Sequence, residues 1–290
     1  MTTQTTVQHS IYRPDGRRIA VQVSGPDDGL PVLLGHSAPG SRLLDPDPQA
    51  TAAAGVRLIT LDRPGYGESA RLGPGVTPTI ALFADDCAAV LDHFAVTAAA
   101  VAGWSAGGRV AMALAARRPE LVRLVALIAT PAPDEHVAWI GAEEKAMISA
   151  LLADPESALT TLEKMLAPMT SDPAAGLSLV GAEPGEEGGL TDDLRADLEV
   201  MLTAAFAQGS AGLAADLISY TVQPWGFDPR AVGAPVRCWY GETDSVISPE
   251  HGRWWADQVA DGAVVVLPGA GHLLVRPVWS EVLDWFSKTA

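Results

Sequence analysis

The chain has 290 residues, 48% of them hydrophobic, and a formal net charge of −16, so it fits one large domain or a core with an inserted subdomain. The acidic balance excludes nucleic acid and an anionic membrane surface as expected partners. Residues 1–10 are polar, without an apolar signal region, and no apolar run approaches the ~18 residues that span a bilayer, so the expectation is a soluble, cytoplasmic protein.

Residues 7–12 and 17–24 alternate in polarity around Pro14-Asp15-Gly16, which predicts a β-hairpin. A short apolar strand, 31–35, then runs into His36-Ser37-Ala38-Pro39-Gly40. A helix is expected over 49–54. A second buried strand, 56–61, ends in Asp62-Arg63-Pro64-Gly65-Tyr66-Gly67-Glu68-Ser69. Residues 78–94 carry apolar side chains at helical spacing, with Asp85 and Asp86 expected on the wetter side.

The small, apolar stretch 98–102 predicts a buried strand, and 109–118 the helix after it. Between them lies Gly103-Trp104-Ser105-Ala106-Gly107, the G-x-S-x-G nucleophile-elbow pattern. Glycine suits the flanks because a Cβ there would meet neighbouring backbone. The strained turn pushes the Ser105 Oγ out over the sheet edge, and the Ala106 N–H points toward a developing oxyanion. Another apolar strand follows at 124–129. Strands alternating with helices imply a mostly parallel sheet covered on both faces.

The alternation stops at Pro131-Ala132-Pro133. From there to about 225 the pattern is helical and acidic, broken at Pro155, Pro168, Pro173 and 184–189. Glu183, Glu186, Glu187, Asp192, Asp193, Asp197 and Glu199 crowd one region, which reads as solvated surface. The division expected is a core of residues 1–130 and 226–290 with a helical cap, 131–225, inserted after the sixth strand. The α/β rhythm then resumes with a strand at 236–240, a helix at 249–259, a last strand at 263–267 and a closing helix at 278–287. Cys87 falls in a predicted helix and Cys238 in a predicted strand; with no Cys/His cluster, both read as buried spectator thiols.

A serine hydroxyl needs a base, and the base an orienting carboxylate. Asp244, in Gly241-Glu242-Thr243-Asp244, and His272, in Gly269-Ala270-Gly271-His272, follow the last two predicted strands. Both stand at strand carboxyl ends, where open α/β sheets bind ligands. The order Ser105, Asp244, His272 is the one expected for this elbow. Asp134, after the preceding strand, is the rival acid and Glu242 a weaker one. His9, His93, His136 and His251 read as surface or structural. Ala38 is small enough to supply a second oxyanion N–H, with His36 bracing its loop. Trp104 is read as a substrate-binding pocket wall.

These motifs together resemble the α/β-hydrolase superfamily, specifically capped hydrolases related to proline iminopeptidases and small esterases. The resemblance spans about residues 7–286. It implies an eight-stranded, mostly parallel sheet flanked by helices, and a structural role for residues 62–69. Ser37 departs from the glycine frequent there. Ala106 replaces the methionine usual in cofactor-free haloperoxidases, and Ser105 stands where dehalogenases and epoxide hydrolases carry aspartate. The expected activity is a serine hydrolase acting on an ester, thioester or amide of a small molecule, without metal or organic cofactor. An aminopeptidase, a biosynthetic enzyme on the same triad (cyclase, C–C bond hydrolase or acyltransferase) and a non-catalytic binder stay open. Homo-oligomerisation also stays open. Specificity is expected in the cap, among residues such as Trp139, Met165, Met201, Tyr220 and Trp225.

Overall fold

A computed structural model describes residues 6–170, 176–182 and 190–289. Of the features singled out above, Pro173, Pro184, Glu183, Glu186 and Glu187 lie outside the described residues. Eight strands form one sheet: β1 (Thr6–Tyr12), β2 (Arg18–Ser24), β3 (Leu30–Gly35), β4 (Val56–Leu61), β5 (Ala99–Trp104), β6 (Val122–Ile128), β7 (Val236–Gly241) and β8 (Gly262–Leu267). Their spatial order is β1-β2-β4-β3-β5-β6-β7-β8. The β1/β2 and β2/β4 pairs are antiparallel; every pair from β4 to β8 is parallel.

The sheet divides the interior by strand alternation. Leu33, Ile59 and Val101 enter one core with Phe83, Met112 and Trp255, from helices α2 (Ile80–His93), α3 (Ala106–Arg117) and α9 (Pro249–Asp257). Val32, Leu34, Ala100 and Ala102 enter the other, with Val278, Trp279 and Phe286 from the closing helix, Val275–Thr289. That helix starts three residues before the predicted position. Pro277 lies in its first turn, where a missing N–H breaks no helical hydrogen bond. Trp279 Nε1 donates to Thr51 Oγ1 at 2.8 Å, tying this helix to α1 (Pro48–Ala54).

Asp86 departs from its predicted wet face. It is buried on α2 and accepts both Arg17 guanidinium ends, at 2.6 and 2.7 Å. Charge pairing across 69 residues, invisible to helical periodicity, lets a carboxylate go inside.

Between β6 and β7 the chain leaves the sheet for a set of helices, including α4 (Ala142–Ala153), α5 (Pro155–Leu166), α6 (Gly176–Leu179), α7 (Asp192–Ala205) and α8 (Ala211–Leu217). Leu151, Leu162, Ala214 and Ile218 form a small core of their own, while Leu198, Met201 and Leu202 of α7 join the sheet's second core. The insertion is therefore seated on the sheet. No single helix among the described residues is long and apolar enough to cross a membrane.

Candidate active site

Ser105 stands between β5 and α3 at φ 52°, ψ −120°, a positive-φ conformation rare for a residue with a Cβ. Two glycines make the turn. A Cβ on Gly103 would collide with the backbone of Gly107 and Gly108; one on Gly107 would collide with the carbonyls of Gly35 and His36. The second absence lets the start of α3 lie against the loop after β3. Ser105 N–H donates to Ile128 O at 2.8 Å, fixing the elbow to β6. The side chain is half-buried, and among the described residues its Oγ makes no hydrogen bond.

The loops after β7 and β8 are laced together. Thr243 N and Oγ1 both donate to Ala270 O at 2.9 Å, and Glu242 N donates to Leu267 O at 3.0 Å. This brings Asp244 Oδ2 to 2.8 Å from His272 Nδ1. Asp244 Oδ1 accepts the N–H groups of Val246 and Ile247, at 3.0 and 2.7 Å. Burial works to raise the Asp244 carboxyl, but His272 and the two amides outweigh it and hold it below its ordinary value. With Nδ1–H engaged by the carboxylate, Nε2 carries the lone pair. The imidazole lies 6.4 Å, centroid to centroid, from the ring of Trp104, the residue before Ser105.

A family model of the α/β hydrolase fold matches residues 31–275. The chain belongs to the α/β hydrolase fold family. The pimeloyl-[acyl-carrier protein] methyl ester esterase of Chromobacterium violaceum is 29% identical over 208 residues, 69% of this chain and 73% of that one. A dihydrolipoyllysine-residue acetyltransferase component of the acetoin cleaving system, from Pseudomonas putida, is 28% identical over 269 residues. The match takes in 89% of this chain and spans 62% of that relative. In structure, the esterase RhEst1 from Rhodococcus sp. ECU1013 superposes with a TM-score of 0.70 at 24% identity, over 98% of this chain and 99% of that one. The protein is an enzyme of the α/β-hydrolase type, with esterases among its relatives.

Within this hydrolase Trp104, expected as a pocket wall, has no exposed surface and ends β5 inside the second core, its ring facing that of His272 at the 6.4 Å given above. Asp134 is spent elsewhere: Oδ1 accepts Trp139 and Ile140 N–H at 2.8 and 2.7 Å, and Oδ2 pairs with Lys145 at 2.8 Å. Glu242 accepts Gly269 N–H at 3.0 Å. His251 is buried and accepts Ala132 N–H, while His136 stacks on Trp254. Ala106 is the buried first residue of α3, and Ala38 is half-buried after β3. Cys87 and Cys238 are free and buried; burial pushes the Cys87 thiol up to about 12.

Two buried arginines carry contacts no motif announced. Arg63, in the 62–69 turn, makes a two-pronged pair with Asp216 of α8 at 2.8 and 2.6 Å, and Tyr66 O–H donates to the same carboxylate at 2.9 Å. Burial would depress the Arg63 guanidinium, but Asp216 more than offsets it and holds it above its ordinary value. Arg109, one helical turn after Ser105, is also buried, with no carboxylate partner among the described residues. Its guanidinium carbon lies 4.3 Å from the Tyr220 ring centroid and 5.3 Å from those of Trp139 and Trp225. These aromatic faces offset part of its desolvation, and burial brings the group down to about 10, still charged at neutral pH. Trp139, Tyr220 and Trp225 thus hold both ends of the insertion against α3, the helix that follows Ser105. Met165, by contrast, is exposed.

Proposed function

We propose that this protein is a serine hydrolase that cleaves an ester, thioester or amide of a small substrate through an acyl-enzyme on Ser105, with esters favoured. One observation carries the reading: the His272–Asp244 pair, 2.8 Å long, stands beside the residue that precedes an elbow serine held at positive φ. His272 Nε2 takes the Ser105 proton as Oγ attacks the carbonyl carbon. The N–H groups of Ala38 and Ala106 bind the tetrahedral oxyanion. The imidazolium, stabilised by Asp244, protonates the leaving group. Water, deprotonated by His272, then releases the acid and restores Ser105. Atoms and charge balance with water alone, so no step calls on a metal or cofactor. The helical insertion acts as the cap over this site, and the substrate enters as a free small molecule.

The preference for esters rests on one point: the relative from C. violaceum is named a methyl ester esterase. The acetyltransferase relative keeps acyl transfer as the second reading. Hydrolysis of aryl esters, compared with amino-acid anilides and with added alcohol or thiol acceptors, tests the proposal. Ester turnover lost in Ser105→Ala supports it. Anilide turnover exceeding ester turnover overturns the preference for esters, and product forming only with an acceptor overturns hydrolysis.

A further inference from the structure

We propose that Asp216, although it lies in the helical insertion, is a positioning residue for the Ala38 oxyanion donor and acts through Arg63. The inference rests on the serine-hydrolase reading above.

Arg63 is the junction. Its Nε and Nη2 face the Asp216 carboxylate. Its Nη1 donates to His36 O at 2.7 Å, and its Nη2 also donates to Ser37 O at 2.8 Å. A planar guanidinium carries its donors in a rigid fork, so fixing the carboxylate side fixes the direction of the carbonyl side. The imidazole of His36 adds a second bond to the same carbonyl. Its Nε2 accepts the Arg63 backbone N–H at 3.4 Å, so its Nδ1 bears the proton and donates to Ser37 O at 2.7 Å. Burial and then the Arg63 charge hold that ring neutral.

Ser37 O and Ala38 N–H belong to one peptide group. The peptide is trans, so the two point in opposite directions. With the carbonyl held inward by Arg63 and His36, the Ala38 N–H is aimed outward, and among the described residues it makes no hydrogen bond. Two donors on the carbonyl also polarise the N–H. The same loop presses on the start of α3, where Ala106 supplies the other donor.

The insertion holds the other end of this chain of contacts. Asp216 is buried on α8, and α8 lies against the 62–69 turn so closely that a Cβ on Gly65 would be 2.9 Å from Gly212 N. A helix inserted 153 residues later in the chain thereby sets the orientation of a peptide group after β3. A pair that merely clipped the insertion to the core would not need the two carbonyl bonds to His36 and Ser37.

The test is steady-state hydrolysis of an aryl ester by Asp216→Asn, with inhibition by an aryl trifluoromethyl ketone. Its hemiketal with Ser105 bears the oxyanion. Melting and far-ultraviolet spectra establish which variants are folded. Complete loss of one oxyanion donor lowers turnover by ~10²–10³-fold, so a misaimed donor is expected to lower kcat by ~10–100-fold. KM should stay within about twofold, and the ketone should lose affinity by the factor lost in kcat/KM. Should Asp216→Asn not fold, Arg63→Lys reads the same quantities, because it keeps the buried charge pair but lacks the fork. Unchanged kcat in a folded variant overturns the inference, as does a rise in KM alone with ketone affinity intact. Ser105→Ala is assayed alongside. Its activity at wild-type level defeats the hydrolase reading itself, whereas an inactive Ser105→Ala beside a fully active Asp216→Asn defeats only the role of Asp216.

Discussion

Gly181 of the insertion lies directly against His272: a Cβ built on it would be 2.8 Å from the His272 Cβ and 3.1 Å from the ring carbon Cδ2. Gly181 also sits at φ 82°, where a side chain is strained whatever the space. The base is therefore pressed by the insertion on one side and held by Asp244 on the other. Gly181→Ala is expected to displace the ring and to lower kcat by ~10-fold or more, since a shift near 1 Å can cost about 10²-fold. Kinetics beside a melting curve checks this; wild-type kcat in the folded variant contradicts it.

Asp244→Asn removes the charge that stabilises the imidazolium and offers His272 Nδ1 a group that can be a donor, which favours the wrong tautomer. The expected outcome is a fall in kcat of ~10⁴-fold at neutral pH with little change in KM. The Asp244 carboxyl also makes a pH-dependent contribution to stability. It is held below its ordinary value when folded, so that contribution is present above the unfolded value of 3.8 and is lost as pH falls through the lower folded value. Melting temperatures of wild type and Asp244→Asn should therefore draw together as pH falls from 3.8 through the lower folded value.

The strands along the chain, the elbow and the loops after β7 and β8 were legible because each depends on local pattern: apolar runs, glycines flanking a serine, polar residues at strand ends. The Arg63–Asp216 pair was not. Its members are 153 residues apart, and Asp216 is the single charge of a small-residue, apolar helix, with nothing near it in sequence to announce a buried arginine. Arg109 was opaque for the same reason: nothing near it in sequence shows that Trp139, Tyr220 and Trp225 converge on it. The complete burial of Trp104 was not legible either, because an aromatic residue beside a nucleophile reads alike whether its ring turns to the pocket or to the core. What the sequence under-reports here is polar and aromatic burial assembled by the insertion.

Asp45 offers a stability switch away from the site. Burial raises its carboxyl to about 6, against an ordinary value of 3.8, although Thr51 Oγ1 donates to it at 2.7 Å. The folded state favours the protonated form, so this stabilisation is fully present below 3.8 and is lost as pH rises through about 6. Asp45→Asn keeps an acceptor for Thr51 and removes the charge. It is expected to raise the melting temperature relative to wild type at pH 8 and to leave it nearly unchanged at pH 4. A uniform shift at both values would contradict the assignment.

Gly107→Ala probes the approach of α3 to the β3 loop. The added methyl meets the carbonyl oxygens of Gly35 and His36, so either the elbow or the Ala38 loop must retreat. Overpacking of this kind costs ~1–3 kcal/mol. The expected result is a lower melting temperature, and in the folded fraction a fall in kcat greater than any rise in KM. Wild-type stability and kcat would show that the two segments are not held in contact.

The most direct measurement is the mass of the enzyme quenched within the first turnover of an activated aryl ester, followed by peptide mapping. The account predicts one acyl group per chain on the peptide containing Ser105, absent in Ser105→Ala, which should also lose turnover. An acyl group on any other residue, or a Ser105→Ala variant that turns over at the wild-type rate, would contradict it.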